Sequence, residues 1–301
     1  METCCILYNP KAGNGRGLNE ARRLDSIWSG KSLDYIDVTT IADIRAYLDS
    51  LPAETTVVLA GGDGTLNHFI NDMGGKAPAR DIYYFAAGSG NDFLRDAERT
   101  RDDPPFLLNP YLQNLPTVTV NGMTRYFLNG IGYGIDGYCC EVGDKQRLKS
   151  DKPVNYTAIA IKGLLFGYHR TLADVCVDGD AKAYRAVWLA PTMKGRFYGG
   201  GMMCAPGQNR LDPEGSVSTM VMTGRSKLKT LIVFPSIFKG EHIRHREMVT
   251  IRPGHEVTVR FNRPTALQID GETVLGVTEY SVSTRRSVGA AEKSKAAVVA
   301  E

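Results

Sequence analysis

Three glycine-rich segments carry polar side chains suited to holding a chain of phosphates. They span residues 9–15, 61–67 and 88–93, and each follows an apolar run typical of a strand. Backbone amides at the start of a helix bind phosphate, and glycine lets phosphate oxygens approach the backbone closely. Asp63 and Asp92 would repel phosphates unless a divalent cation such as Mg²⁺ lay between them. Together the segments predict a site for a magnesium-complexed nucleoside triphosphate.

Two other glycine patterns are weaker signals. Gly30-Lys31-Ser32 resembles the end of a phosphate-binding P-loop, but Asp25 stands where the upstream glycine is required. Residues 132–137 match G-x-G-x-x-G, yet they lie among predicted hairpins and lack the strand–helix–strand context of a dinucleotide site. An ordinary strand–helix turn with a capping aspartate is the alternative for residues 61–67.

Alternating strands and helices in the first third of the chain predict a parallel, doubly wound α/β sheet. The strands are predicted at residues 4–8, 33–38, 55–60 and 82–86, and the helices at 18–29, at 41–51 and from Leu66. Loops that leave the carboxyl ends of parallel strands share one edge of a sheet. The three glycine segments are therefore expected to converge.

The rest of the chain predicts an antiparallel β-sandwich. Turn signals of hairpins occur at Asn121-Gly122, Asp178-Gly179 and Asp270-Gly271, and a further turn is predicted at 262–264. One helix is predicted at 155–166, and the cysteine pair 139–140 is interpreted as part of an apolar, strand-like run. The predicted domains are an α/β nucleotide-binding domain over 1–117, a β-sandwich over 118–284, and a disordered tail over 285–301.

Composition and charge exclude several classes of protein. Of the 301 residues, 43% are hydrophobic and 23% charged, which is typical of a globular protein and unlike a disordered or collagen-like chain. A net charge of +3 is too small for a nucleic-acid binder, so no nucleic-acid partner is predicted. The six cysteines lack a C-x-x-C spacing, no basic signal segment opens the chain, and no apolar run is long enough to span a bilayer. A cytoplasmic protein with reduced thiols and no transmembrane segment is predicted.

The order of these motifs resembles the diacylglycerol kinase catalytic-domain family, the bacterial soluble lipid kinases related to sphingosine kinases. The matching segments are Asn9-Pro10, GGDGTLN at 61–67, GSGND at 88–92, the glycine-rich run 129–137, residues 199–206 leading into 212–215, and Asp270-Gly271-Glu272. They cover nearly the whole chain. GGDGT alone is shared with NAD kinases, whereas its combination with GSGND and a late DGE is much more specific.

The resemblance implies an ATP- and Mg²⁺-dependent kinase that phosphorylates a lipid hydroxyl in a cleft between the two domains. It places at the nucleotide Asn9, Thr40 (or Thr39), Gly61, Gly62, Asp63, Gly64, Thr65, Leu66, Asn67, Ser89, Asn91 and Asp92. Asp63 and Asp92 would engage the magnesium–phosphate unit. Glu272, with Asp270 beside it, would accept the proton of the hydroxyl, so Glu272, Asp270 and Asp63 are the candidate catalytic residues. A plain hairpin turn is the alternative for residues 270–272.

A second, structural Mg²⁺ site is less well supported by the resemblance. Bacterial members with that site carry an Asp-Asp-Gly run, whereas this chain has Leu211-Asp212-Pro213-Glu214-Gly215-Ser216. Glu214 occupies the place of the second aspartate, and Leu211 and Ser216 could offer only carbonyl oxygens. The motif leaves this second metal open.

Residues 225–246 combine basic and apolar side chains in a way that suits an anionic membrane surface. The alternative is that the apolar side chains are buried beneath a solvated basic face. Peripheral membrane association and phosphorylation of diacylglycerol to phosphatidic acid are the favoured function. A sphingoid or polyprenol acceptor, an NAD kinase-like activity and an inactive nucleotide-binding module are the alternatives, and a homodimer is one possible assembly.

Overall fold

A computed structural model describes residues 3–149 and 154–285 of the chain. An α/β sheet is built from residues up to Leu107, and an antiparallel sheet begins at Thr117. The predicted fold class, a doubly wound α/β sheet followed by an antiparallel β-sandwich, is confirmed. Beyond Arg285, the tail predicted over 285–301 lies outside the described residues.

The first sheet is covered by helices on both faces. Its strands are β1 (Thr3–Tyr8), β2 (Ser32–Asp37), β3 (Thr56–Gly61), β4 (Ile82–Ala86) and β5 (Phe106–Leu107). Its helices are α1 (Ala12–Gly15), α2 (Gly17–Ala21), α3 (Leu24–Ile27), α4 (Ile44–Ser50), α5 (Asp63–Asp72) and α6 (Asp92–Asp96). The strand order is β2-β1-β3-β4-β5, with β1 to β4 parallel and β5 antiparallel to β4.

Successive residues of β1 supply two separate cores. Cys5 and Leu7 pack with apolar side chains of α4 and α5, whereas Cys4 and Ile6 pack with those of α2 and α3. Side chains alternate across a strand, and a parallel sheet needs cover on both faces. Cys4 and Cys5 are therefore each buried in one of the two cores, and they form no disulfide.

The helix predicted over 18–29 is wrong as a single element, because α2 ends at Ala21 and α3 begins at Leu24. Arg22 and Arg23 have ψ angles of −7° and −21°, closer to a 3₁₀ than to an α conformation. The guanidinium of Arg23 lies 5.1 Å from the centre of the Phe85 ring and donates to a carbonyl at the end of β4. The interruption of the helix is thereby fixed against the sheet.

The second sheet curls until the last strand of its order also pairs with a strand further back in that order. Its strands are β6 (Thr117–Val120), β7 (Met123–Tyr126), β8 (Gly130–Tyr133), β9 (Thr171–Val177), β10 (Asp180–Leu189), β11 (Thr192–Met193), β14 (Val217–Thr223), β15 (Val249–Gly254), β16 (Glu256–Ile269) and β17 (Glu272–Ser283), while β12 (Phe197–Tyr198) and β13 (Met202–Met203) form a separate hairpin. The order is β7-β6-β17-β16-β8-β11-β14-β10-β9, with β15 on β14 and a further pairing of β9 with β16. This closure encloses an apolar core that includes Val175, Val259 and Leu267.

Left-handed turn residues join three of the hairpins, as the sequence predicts. Asn121-Gly122, Asp178-Gly179 and Asp270-Gly271 all have positive φ at both positions. Positive φ at both central residues defines the type I′ turn, whose twist matches that of the flanking strands. The turn predicted at 262–264 is wrong, because β16 runs through it with a shift of register between Arg260 and Thr265. Proline is tolerated in a strand at such an irregularity.

Helices in the second part are α7 (Ile135–Arg147), α8 (Tyr156–Lys162) and α9 (Lys227–Val233), with a π turn at Gly163–Gly167 and 3₁₀ turns at Phe234–Lys239 and Glu241–Arg244. The helix predicted at 155–166 is thus α8 and the π turn. The strand-like interpretation of Cys139-Cys140 is wrong, since both residues lie in α7. No helix among the described residues combines the length and apolar character needed to cross a bilayer.

Helix α7 lies directly against β16 at Gly137, where a Cβ would be 2.0 Å from the carbonyl oxygen of Ala266. We expect Gly137→Ala to lower the free energy of unfolding by about 2 kcal/mol or more, since the overlap with backbone outweighs the roughly 1 kcal/mol gain in helix propensity. Denaturant unfolding measures the change. Gly207→Ala is the control, because a Cβ there meets nothing within 4 Å. Equal stabilities of the two variants would contradict the close packing of α7.

Candidate active site

The two aspartate-bearing glycine loops touch each other through their backbones. A Cβ built on Gly88 would lie 2.3 Å from the Cα of Gly62, and one built on Gly62 would lie 3.0 Å from the Cα of Gly88. The Asp63 amide also donates to the carbonyl of Gly90 over 3.2 Å. Any side chain at either glycine would separate the loops. Residues 61–67 and 88–92 therefore meet at the carboxyl edge of β3 and β4, as the parallel sheet predicts.

Asp63 begins α5, but its carboxylate points to the other loop. It accepts hydrogen bonds from the backbone N–H groups of Asp92 (2.8 Å) and Phe93 (3.2 Å), in the first turn of α6. Burial raises the pKa of Asp63 to about 6; the charges of Asp92 and Asp270 add to the rise, and the two backbone hydrogen bonds oppose it. An ionised carboxylate held among two others is a place where a cation binds favourably.

Asp92 connects helix α6 to the β12–β13 hairpin. One carboxylate oxygen accepts from the backbone N–H of Gly200 over 2.8 Å, in the β12–β13 turn. Burial raises the pKa of Asp92, while hydrogen bonds from Gly200 and Gly201 and the charge of Arg95 oppose the rise. The turn at 199–201 thus receives its position from a carboxylate of the glycine loops.

The first glycine segment joins the same edge through Asn9. Its Nδ2 donates to Thr65 Oγ1 over 3.2 Å, while its Oδ1 accepts from the Lys11 amide over 2.9 Å. Thr65 also requires glycine at position 61, where a Cβ would lie 2.4 Å from the threonine hydroxyl. The residues predicted at 9, 61 and 65 therefore lie together.

The other predicted nucleotide contacts differ in what they can offer. Gly64 and Ser89 are exposed, and a Cβ on Gly64 would meet nothing within 4 Å. The side chain of Leu66 is buried in the core, so only its backbone could face a ligand. Asn91 has a buried Oδ1 with no protein partner in the described residues. The Thr40 hydroxyl donates to the carbonyl of Asp37, at the end of β2, and the contact of Thr40 (or Thr39) with the nucleotide stays a prediction.

Asp270 is enclosed by hydrogen-bond donors. Its Oδ1 accepts from the backbone N–H groups of Asn129 (2.8 Å) and Gly130 (2.9 Å), and its Oδ2 accepts from Leu128 N–H (2.6 Å) and Asn67 Nδ2 (2.7 Å). A carboxylate whose lone pairs face fixed donors has little capacity left for the proton of a substrate. Asp270 is suited to fixing its turn and not to proton transfer.

Glu272 is the open carboxylate of this turn. Its side chain is 40% exposed, with Oε2 lying 2.5 Å from Arg125 Nη1 and Oε1 lying 3.7 Å from Nε2 of His68. The second Nη of Arg125 donates to Asn67 Oδ1 over 2.6 Å. Asn67, the last residue of GGDGTLN, thereby contacts both Asp270 and the partner of Glu272. The DGE turn and the glycine loops are thus parts of one site.

In the turn at 211–216 the one aspartate is already engaged by backbone donors. Asp212 uses its carboxylate within the turn, accepting from the backbone N–H groups of Glu214 and Ser216, each at 3.1 Å. Leu211 and Glu214 are exposed, and among the described residues no three His, Cys, Asp or Glu side chains form a metal-binding group. Burial and the charge of Arg210 lower the pKa of the Lys194 ammonium to about 8, and the charge of Asp212 in this turn opposes the fall. The predicted second metal with Leu211, Glu214 and Ser216 therefore gains no support.

Two family models match the chain, the diacylglycerol kinase catalytic domain over residues 3–120 and the YegS C-terminal NAD kinase beta sandwich-like domain over 129–285. The chain belongs to the diacylglycerol kinase catalytic-domain family. Diacylglycerol kinase of Mycobacterium tuberculosis (strain ATCC 25618 / H37Rv) is 24% identical over 257 residues, which are 82% of this chain and 81% of that protein. Diacylglycerol kinase of Staphylococcus aureus (strain MRSA252) is 23% identical over 281 residues, 89% of this chain and 85% of that protein.

The fold is also found among solved structures of this family. The crystal structure of a diacylglycerol kinase from Bacillus anthracis str. Sterne has a TM-score of 0.56 and 14% sequence identity, and the match covers 94% of each chain. At this identity the likeness concerns the fold. It agrees with an α/β domain followed by a β-sandwich.

Several residues that contact the candidate site were not predicted from the sequence. Asp96, at the end of α6, binds Arg196 Nε over 2.7 Å and also pairs with the buried Arg210. Arg210 in turn donates to Asn129 Oδ1 over 2.8 Å, next to the amides that hold Asp270. No local pattern signals a pair such as Arg125 and Glu272, whose members are far apart in the chain. The sequence signal nearest to this pair was the Asn121-Gly122 turn, which places Arg125 on the strand beside β6.

The residues present fit a magnesium ion that is bound together with phosphates. Asp63 and Asp92 are two buried carboxylates beside exposed backbone at Gly64 and Ser89. Magnesium in proteins is usually held by one or two carboxylates, with phosphate oxygens and water completing its shell. A pair of carboxylates is the donor set that this binding mode needs.

The ionised form of Asp63 is expected to destabilise the protein without ligand. Its pKa is raised from 3.8 to about 6 on folding, so the cost is full above pH 6 and is relieved as the pH falls from 6 towards 4. Relative to wild type, Asp63→Asn should therefore be more favourable by about 1–2 kcal/mol at pH 8 than at pH 5. Denaturant unfolding at both pH values, without nucleotide or metal, measures this difference. A pH-independent difference would show that Asp63 titrates at its ordinary value.

Proposed function

We propose that the cleft transfers the γ-phosphate of ATP to the hydroxyl of a lipid, with diacylglycerol converted to phosphatidic acid. One observation carries the proposal: the loops bearing Asp63 and Asp92 touch through Gly62 and Gly88, and Asn67 joins them to the turn that presents Glu272. Phosphoryl transfer depends on positioning and charge neutralisation, which are what such an arrangement supplies. Membership of the family and the names of the relatives favour a lipid as acceptor.

The glycine loops are suited to the phosphate side of the reaction. Exposed backbone at Gly64 and Ser89, with the start of α5 behind it, offers amide dipoles to negatively charged oxygens. Asn9 and Thr65 fix the neighbouring segment at the same edge. Asp63 and Asp92 would hold Mg²⁺, which when bound neutralises charge on the phosphates.

Glu272 is suited to the acceptor side. In the proposed step the lipid hydroxyl oxygen forms a bond to the γ-phosphorus, the bond from that phosphorus to the β–γ bridging oxygen breaks, and ADP leaves. Glu272 accepts the proton of the hydroxyl. Arg125 holds the Glu272 carboxylate, and Asp270 keeps the turn rigid without taking part in proton transfer.

Exposed apolar residues near basic ones favour contact with a membrane. Phe166, Leu228 and Ile232 have exposed fractions of 78%, 68% and 70%. The ammonium of Lys227 donates to the carbonyl of Leu165 over 2.6 Å, so the π turn and α9 form one surface, called here the α9 surface. Basic residues around apolar side chains that can insert favour an anionic bilayer.

Part of the predicted membrane segment is core instead. Phe234 and Ile237 are buried and Leu231 is partly buried, because all three belong to an apolar cluster that also contains Met202 of β13 and Val249 of β15. Lys229 is paired with Glu247 at 2.8 Å. The α9 surface is therefore smaller than the 225–246 segment, and a cytoplasmic, peripherally attached protein is the location that we propose. A homodimer stays a prediction.

Purified protein should transfer label from ATP to diacylglycerol in the presence of Mg²⁺. Glu272→Gln should lower kcat by at least about 100-fold, because the amide cannot accept the proton, while nucleotide binding and the melting temperature stay the same. Thin-layer separation of the labelled lipid measures the rate. Glu279→Gln, which alters another half-exposed glutamate of β17, is the matched control.

Parallel reactions with a sphingoid base, a polyprenol and NAD separate the alternatives. Label in NAD and in none of the lipids would replace the proposal by an NAD kinase. Wild-type activity in Glu272→Gln would remove Glu272 as the proton acceptor. Nucleotide binding without transfer to any of these acceptors would favour the inactive binding module.

The α9 surface should mediate binding to anionic vesicles. Replacing both Leu228 and Ile232 by Ser should weaken binding to phosphatidylglycerol-containing vesicles by at least about tenfold, since two apolar side chains no longer insert. Stability should not fall, because both side chains are exposed. Sedimentation with the vesicles measures binding, and Met123→Ser, another exposed apolar position, is the control. Unchanged sedimentation of the double variant would exclude this surface.

Replacing Lys227, Lys229 and Lys239 by Glu tests the electrostatic part. Each lysine near an anionic surface contributes about 1 kcal/mol of attraction, so the triple variant should bind these vesicles at least about tenfold more weakly. Vesicles of phosphatidylcholine alone, which carry no net charge, should show a smaller difference. Equal losses on the two kinds of vesicle would mean that the lysines act through structure.

A further inference from the structure

A buried carboxylate, Asp136, lies outside the catalytic loops and takes no part in the step described above. It stands in the first turn of α7 and is buried. The hydroxyl of Tyr198 donates to its Oδ2 over 2.8 Å, whereas its Oδ1 has no side-chain or backbone partner in the part of the chain that the structure describes. Burial raises its pKa to about 6, against hydrogen bonds that include those of the Tyr198 and Gln268 side chains. Burying a carboxyl group costs free energy, and the contacts of Asp136 indicate what the group does in the fold.

One branch from Asp136 leads to the turn that carries Glu272. A Cβ on Gly132 would lie 1.5 Å from Asp136 Oδ2 and 2.7 Å from Gln268 Nε2, so these two groups meet above a glycine that leaves room for them. The other end of the Gln268 amide, its Oε1, accepts from the Gly271 N–H over 2.6 Å. Gly271 is the central residue of Asp270-Gly271-Glu272. Asp136 thereby contacts this turn through a single side chain.

The second branch leads to the loop that carries Asp92. Tyr198, which donates to Asp136, immediately precedes the turn at 199–201, and Gly200 of that turn donates to the Asp92 carboxylate. Tyr198 is almost completely buried, so its ring cannot move without a change in the core around it. The position of Asp136 therefore affects the phosphate side of the cleft as well as the acceptor side.

We propose that Asp136 is a positioning residue that fixes the DGE turn and the 199–201 turn relative to each other. Its carboxylate contacts both Gln268 and Tyr198, and so sets the separation between Glu272 and Asp92. Both groups must be placed closely for an in-line transfer, where a displacement of about 1 Å costs about 100-fold in rate. The catalytic part of this proposal rests on the proposed kinase function.

Replacement of Asp136 by Leu, which is similar in size but accepts no hydrogen bond, should lower kcat by about tenfold or more. Asp136→Asn keeps one acceptor oxygen and should restore kcat to within about threefold of wild type. Gln268→Leu interrupts only the branch to the DGE turn, so it should lower kcat and leave KM for ATP unchanged. Tyr198→Phe interrupts the other branch and should raise KM for ATP.

A double-mutant cycle separates positioning from a general loss of structure. Adding Gln268→Leu to Asp136→Leu should cause no further loss of kcat, because both changes break the same connection. Additive losses, or a kcat of Asp136→Leu equal to that of wild type, would contradict the proposal. Gln268→Leu and Tyr198→Phe supply the same comparison of kcat with KM if Asp136→Leu does not fold.

Hydrogen exchange tests the connection without any substrate. In Asp136→Leu the amides of 268–273 and 198–202 should both exchange at least about tenfold faster, while the β9–β10 hairpin keeps its rate. The control is Glu141→Gln, which alters a surface ion pair on the same helix. Unchanged exchange in both segments overturns the proposal. Faster exchange in both, in a protein that phosphorylates no acceptor, upholds the connection and contradicts only the kinase function.

Discussion

The contact between Gly62 and Gly88 is the constraint on which the cleft depends. Two loops that each carry an aspartate can come together only where neither residue has a side chain, and here their backbones are in direct contact. The parallel strands β3 and β4 bring both loops to one edge, and the glycines turn that proximity into contact. Once the loops touch, Asp63 reaches the first amides of α6, and the charge of Asp92 lies close enough to raise the pKa of Asp63.

The carboxylates of the cleft are held in different ways, and their surroundings separate their functions. Asp63 and Asp92 are buried, with their pKa values raised, so they suit a cation. Asp270 is surrounded by backbone amides and the Asn67 amide, which suits it to fixing a turn. Glu272 faces a guanidinium and solvent, and it alone is free to meet an acceptor molecule. The four acidic residues of the sequence motifs are thus suited to three purposes that their spacing does not distinguish.

Local sequence patterns predicted the four parallel strands of the first sheet, the three hairpin turns and the meeting of the glycine loops, because each depends on residues close together in the chain or on the rule for parallel strand ends. They did not predict α7, where two cysteines after a glycine-rich run have no clear helical period. They misassigned 262–264, because proline marks a turn and an irregularity of a strand equally well. The partners of Glu272, Asp96 and Asp136 lie far away in sequence, and only the folded chain identifies them.

Helix α6 is only five residues long, yet residues at both of its ends bind the stretch 196–210: Asp92 through Gly200, and Asp96 through Arg196 and Arg210. To move α6 away from this stretch would break a buried ion-pair network, which typically costs several kcal/mol. His68 and Glu272, which lie outside this network, are open to solvent, so a bulky molecule can reach the site on their side without breaking these ion pairs.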